Sequence, residues 1–186
     1  MLITPLAIPG VFSVRPKRHQ DDRGHFVETY NARDFRAHGI DVDFVQDNQS
    51  LSYRRGTVRG LHFQAAPFAQ AKLVRVLRGA IVDVVVDLRH GEPSFGQHVA
   101  VELGDAQEEA LFVPAGCAHG FCTLVGDTIV AYKVSAFYSR EHDLGVRWND
   151  PALGIRWPVG PNDAIVSHKD RGLPLLADLP RHFGVD

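Results

Sequence analysis

The chain has 186 residues, 45% of them hydrophobic and 23% charged, enough for one domain spanning 1–186 with a substantial core. A formal net charge of −2 excludes a nucleic-acid protein held by bulk positive charge, while leaving room for a local basic pocket. Cys117 and Cys122 are too few for a disulfide framework and read as buried free thiols of a cytoplasmic protein.

Residues 1–12 are apolar but lack a basic lead and carry Pro5 and Pro9, so they do not read as a signal peptide. One short helix is expected after Asn31, a good N-cap, with Asp34 at N3 and Gly39 closing it. Strands follow. Residues 72–77 turn at Arg78-Gly79, read as a hairpin, into 80–88, a run too short and too acidic (Asp83, Asp87) to span a membrane. After a break at His90-Gly91-Glu92-Pro93 come 99–103 and 110–113, then the turn Pro114-Ala115-Gly116. Residues 121–125 turn at Gly126-Asp127 into 128–135. The Pro-rich tail after Trp157 reads as irregular, with one short helix near its end. Many short strands with regular turn signals predict a mainly all-β fold, an antiparallel sandwich or barrel, and a jelly roll would leave a ligand cavity inside.

In such a cavity alternate residues of each strand face inward, so polar residues at period two on apolar strands stand out. Phe26 and Glu28 share a face, as do Gln46 and Asn48, and so do His62 and Gln64 if 59–64 is extended. Lys72 alternates with Val74 and Val76, Tyr132 with Val130 and Val134, and His119 follows Pro114-Ala115-Gly116-Cys117-Ala118, read as a turn leading into an apolar strand. Singly, each has a bland explanation: a strand-start lysine reaching water, a packed tyrosine, a solvated amide. Together, His62, Lys72 and Tyr132 supply a base, a cation and an acid, which is what proton abstraction next to a carbonyl requires.

The chain resembles the dTDP-4-dehydrorhamnose 3,5-epimerases. The matching segments are Asp22-Arg23-Gly24, Phe44-Val45-Gln46-Asp47-Asn48, Val58-Arg59-Gly60-Leu61-His62-Phe63-Gln64 and Gln70-Ala71-Lys72-Leu73-Val74-Arg75. Further on are Ala118-His119-Gly120-Phe121, Tyr132-Lys133, Trp148-Asn149-Asp150-Pro151 and Lys169-Asp170, all in the family's order. The resemblance implies a cupin-like jelly roll with a few short helices, acting without a cofactor on a dTDP-linked 4-keto-6-deoxyhexose. It implies His62 as general base with Asp170 as its orienting partner (Asp163 as the fallback), Tyr132 as acid and Lys72 as the cation for an enolate oxygen. It implies substrate contacts from Arg59, His119 and Lys169, and nucleotide-sugar contacts from Arg23, Phe26, Glu28, Gln46, Asp47, Asn48 and Tyr138. It further implies a homodimer in which part of the N-terminal group reaches the neighbouring subunit's site. Asp143 stands where the family commonly has Glu, one methylene shorter.

Several other readings compete. A metal-binding cupin supplies a His-x-His pair, a Glu and a later His; here Gln64 and Lys72 occupy such positions, and His62, Cys117 and His119 lack a fourth ligand with fitting spacing. No Gly-x-Gly-x-x-Gly fingerprint follows a strand and no P-loop is present, so no nicotinamide or nucleotide triphosphate is expected. A single-centre 3- or 5-epimerase and a non-catalytic sugar-binding cupin remain as alternatives.

Overall fold

Short runs rich in Val, Ile, Phe and Thr, each closed by Gly, Pro, Asn or Asp, leave room for little but strands. The computed structural model describes residues 1–184. In chain order the strands are β1 (Leu2–Pro5), β2 (Phe12–Arg15), β3 (Arg18–Asp21), β4 (Gly24–Val27), β5 (Gln46–Ser52), β6 (Thr57–Gln64), β7 (Lys72–Arg78) and β8 (Ala80–Asp87). They continue as β9 (Arg89–His90), β10 (His98–Gly104), β11 (Ala110–Val113), β12 (Cys117–Thr123), β13 (Thr128–Val134), β14 (Asp143–Gly145), β15 (Ile165–Val166) and β16 (Phe183–Gly184). Two short α-helices, α1 (Ala32–Ala37) and α2 (His168–Arg171), accompany them. No helix among the described residues is long and apolar enough to cross a membrane.

Eleven strands and a twelfth at one edge form two large sheets. The first runs β1-β2-β11-β7-β13-β5; the second runs β10-β8-β12-β6-β14, with β15 lying parallel to β6. Val74, Val76, Leu111 and Val130 of the first sheet meet Ile81, Val85, Leu103 and Phe121 of the second in one buried core. This is the expected jelly-roll sandwich. Part of the outer face of the first sheet, around Leu73 and Phe112, is covered by α1, whose buried Phe35 packs edge-on against Phe112 and Tyr30. Burying that one ring contributes roughly 2–3 kcal/mol. The outer face of the second sheet is covered by the tail, where Leu153, Trp157, Leu176 and Phe183 pack near Leu61, Phe63, Val84 and Val86.

The helix forms as its residues predict. Asn31 Oδ1 accepts from the Arg33 amide at 3.0 Å, Asp34 lies in the first turn, and Gly39 leaves the helix at φ +78°. The hairpin expected at Arg78-Gly79 does not form. The turn is there, but β7 pairs with β11 and β13 while β8 pairs with β10 and β12, so the chain crosses from one sheet to the other. The physical reason lies in the apolar faces: Val74 and Val76 look across the core at Ile81 and Val85, which two strands of one sheet could not do. Gly126-Asp127 makes the same crossing between β12 and β13. The turn before His119 is also shorter than expected, since β12 begins at Cys117. The tail is more regular than its prolines suggest and carries β15, α2, a 3₁₀ turn at Leu176–Asp178 and β16.

Candidate active site

Because successive strands cross between sheets, inward side chains from distant parts of the sequence converge. A cavity of about 410 Å³ is lined by Arg59 and His62 of β6, Lys72 of β7, His119 and Phe121 of β12, Tyr132 of β13, Ser50 of β5 and Asp170 of α2. Strict alternation along β6 would turn Arg59 and His62 to opposite faces. A bulge prevents this. Val58 and Leu61 pack under the tail, Arg59 and His62 face the cavity, and Gly60 is the extra residue, where the β6–β12 register shifts. Gly60 has φ +123°, and a Cβ there would lie 2.6 Å from Gly120 Cα on β12, so no other residue fits.

His62 Nε2–H donates to Asp170 Oδ1 at 2.8 Å, and Asp170 Oδ2 also accepts from the Gly60 amide at 3.1 Å. Burial pushes the Asp170 carboxyl up, but the bonds from His62 and Gly60 outweigh it and leave it below the ordinary carboxylate range. Asp163 is exposed in the turn at 160–164 and does not bond His62. Lys72 does not reach water. Its side chain is buried and Nζ donates to the His62 carbonyl at 3.3 Å. Burial pushes its pKa down to about 8, against the pull of the Asp143 and Asp83 carboxylates. Tyr132 enters from the facing sheet; burial, opposed by Arg59, raises its pKa, so the phenol keeps its proton at neutral pH. Arg59 donates to Ser52 Oγ and the Leu51 carbonyl, which hold it at the cavity wall.

A second, more exposed cluster adjoins the first, because β14 lies beside β6 with Gly145 opposite His62 and Asp143 opposite Gln64. The shorter Asp143 still accepts bonds from both the Tyr138 hydroxyl and Lys169 Nζ. Gln46 Nε2 donates to Asn48 Oδ1 at 2.8 Å, and its Oε1 accepts from the Tyr138 amide. The remaining candidates are not brought to this place within one chain. Asp47 points to the other face of β5, where Lys133 holds it at 3.0 Å; adjacent residues of a strand cannot share a face. Glu28 accepts from the Asn31 side chain near α1. Arg23 and Phe26 lie on the β3–β4 hairpin, fully outside the cavity lining.

The model for the dTDP-4-dehydrorhamnose 3,5-epimerase family matches residues 5–178. The chain belongs to that family. A dTDP-4-dehydrorhamnose 3,5-epimerase of Sinorhizobium fredii is 50% identical over 183 residues, covering 98% of this chain and 93% of the relative. A crystal structure of the Bacillus anthracis enzyme with TDP and PPi bound superposes with a TM-score of 0.90 at 48% identity, covering 94% of this chain and 98% of that one. The Legionella pneumophila epimerase in complex with dTDP-4-keto-L-rhamnose gives a TM-score of 0.90 at 38% identity, covering 96% and 94%.

Two features of this epimerase escape a reading of the sequence. Gln64 shares the inward face with His62, but its amide is spent: Nε2 donates to the Phe68 and Phe137 carbonyls and Oε1 accepts from the Ser139 amide. It ties two loops together and has no donor atom left for a metal. Burial pushes the Cys117 thiol up to about 12, and no group of three or more His, Cys, Asp or Glu side chains among the described residues could hold a metal ion. The second feature is a pair of oxygens. Ser50 Oγ, on the cavity wall, and Asp83 Oδ2, behind His119, are buried without a hydrogen-bond partner among the described residues. Ser50 continues the period-two series Gln46, Asn48 and was findable on that ground; Asp83 was visible as an acid within the apolar run 80–88, but nothing in the run gave it a partner.

Proposed function

We propose that this epimerase inverts C3 and C5 of dTDP-4-dehydro-6-deoxy-D-glucose to give dTDP-4-dehydro-L-rhamnose, with His62 as base, Asp170 as its orienting partner, Lys72 as the cation and Tyr132 as the acid. The observation that carries the reading is the His62–Asp170 pair opening onto the same cavity as buried Lys72, with Tyr132 on the facing wall. The C4 ketone acidifies the protons on both neighbouring carbons. Asp170 occupies Nε2 of His62, which leaves Nδ1 to take a proton. The electron pair moves to the C4 oxygen, where Lys72 stabilises the enolate; one such donor is worth on the order of 3 kcal/mol of barrier. Tyr132 then delivers a proton from the other side, which inverts the carbon. Nothing is oxidised overall, so no nicotinamide is required.

Arg59 and His119 bind the sugar and diphosphate from within the cavity, and Gln46, Asn48, Tyr138, Asp143 and Lys169 hold the nucleotide outside it. Arg23, Phe26 and Glu28 serve the site of a second copy in a homodimer. Three observations support this: β3–β4 pairs with no other strand among the described residues, Phe26 is 70% exposed, and the outer face of the first sheet leaves Leu51 and Leu77 each 40% exposed. The place of work is the cytoplasm, supported by two free thiols in a chain with no disulfide.

Incubating the enzyme with the dTDP-4-keto sugar in heavy water, watched by NMR, tests the reading. Deuterium is expected at both C3 and C5. Exchange at one carbon alone would make it a single-centre epimerase, and exchange at neither would make it a binding protein.

A further inference from the structure

Two histidines, not one, stand at the base of the cavity with carboxylates behind them. His62 and His119 are directly opposite each other on β6 and β12. His62 is backed by Asp170, and His119 Nε2–H donates to Asp83 Oδ1 at 2.6 Å. Asp83 is fully buried on β8, and its other oxygen has no partner among the described residues. A buried carboxylate with an unpaired oxygen is costly, on the order of several kcal/mol, and no packing need explains it where a Val or Leu would fill the strand. It lies against His119 and within the field of the buried Lys72.

We propose that Asp83 is a positioning residue of the epimerisation: it fixes the His119 ring by accepting its Nε2–H, and its buried charge favours the Lys72 ammonium that faces the enolate oxygen. This rests on the reading that the cavity performs enolisation. Asp83 touches no substrate in this scheme and acts through its two neighbours. The groups around Lys72 are His62 and Arg59 from β6, Asp83 from β8, His119 from β12, Tyr132 from β13, Asp143 from β14 and Asp170 from α2. Asp143 and Asp83 are the two carboxylates whose field raises the Lys72 pKa against the burial that lowers it to about 8. Removing either carboxylate's charge therefore makes Lys72 lose its proton at a lower pH.

The experiment uses Asp83→Asn, which keeps the shape and an acceptor for His119 but removes the charge. Wild-type exchange at C3 and C5 is measured first, so a failure of the underlying reading shows before the variant is examined. The alkaline limb of the wild-type rate, set by Lys72 near pH 8, is expected to move down by roughly one pH unit in the variant. The rate at neutral pH should fall about 10- to 100-fold. An unmoved limb, whatever the rate or melting temperature, makes Asp83 structural and overturns the proposal. So does loss of exchange at one carbon only, which would make His119–Asp83 a second base. Should the variant not fold, ¹⁵N spectra of the wild-type imidazoles still decide: a His119 Nε2–H held strongly and protected from solvent is expected, and its absence overturns the proposal.

Discussion

His62 and Tyr132 enter one cavity from opposite sheets, the histidine from β6 and the tyrosine from β13. A sugar ring between them would present one face to each. Inversion needs that arrangement, because a single group can only return a proton to the side it came from.

Tyr132→Phe should therefore separate exchange from inversion. The ring and its packing stay, so fold and dTDP binding survive. Deuterium still washes in from the His62 side, while inversion falls by roughly 10²–10⁴-fold. The ratio of exchange to epimerisation in deuterated buffer is the readout. A normal ratio at a normal rate would transfer the acid's role to another group, such as Tyr138.

Lys72→Met should trade function for stability. A lysine whose folded pKa is about 8 against an ordinary 10.5 destabilises the fold wherever it is charged, by on the order of 3 kcal/mol. That cost is full below pH 8 and disappears as pH rises through 8 to 10.5. At pH 7 the variant should melt higher, at about 2–4 °C per kcal/mol recovered, and its turnover should fall by about 10²–10³-fold. The gain in melting temperature should shrink at pH 10. A lower melting temperature at pH 7 would mean that the buried ammonium is better compensated than its one long bond to the His62 carbonyl suggests.

If Arg23 serves a neighbouring subunit, two inactive variants should complement. Arg23→Ala and His62→Ala subunits, mixed and allowed to exchange, give mixed dimers in which one site carries both defects and the other neither. About a quarter of all sites then regain activity. No recovery, in a mixture shown by native mass spectrometry to contain mixed dimers, would place Arg23 in the site of its own chain or in none.

Activity should persist after exhaustive chelation. The cavity presents a buried lysine and a glutamine whose amide is already bonded to backbone. Loss with EDTA, restored by a divalent ion, would contradict the Lys72 role as well.

Much of this was readable beforehand, and the limits have physical causes. Asn31, Asp34 and Gly39 defined α1 because caps act within a few residues. Lys72 and Tyr132 stood out because β7 and β13 alternate regularly from Lys72 to Val76 and from Val130 to Val134, so a polar residue in line with those valines faces the lumen. The shared face of Arg59 and His62 was hidden by the bulge at Gly60, which depends on Gly120, sixty positions away in sequence. The partition of β7 and β8 between sheets was hidden because a turn's residues say that the chain reverses, not which neighbours it finds afterwards. Asp170 was located only by resemblance; its place beside His62 depends on β15 running along β6 and delivering α2 to the cavity.

Apart from β1 and β2, no two strands that are adjacent in the large sheets follow each other directly in the chain. Almost every ladder must wait for a long loop to close before it returns any energy, so the search for the native state is slow and offers few stable halfway structures. Refolding should take milliseconds to seconds rather than microseconds, and during that interval strand edges lie open to other chains. The same crossings that gather the cavity's residues from across the sequence make this protein dependent on dilute conditions, or on help, at the moment it folds.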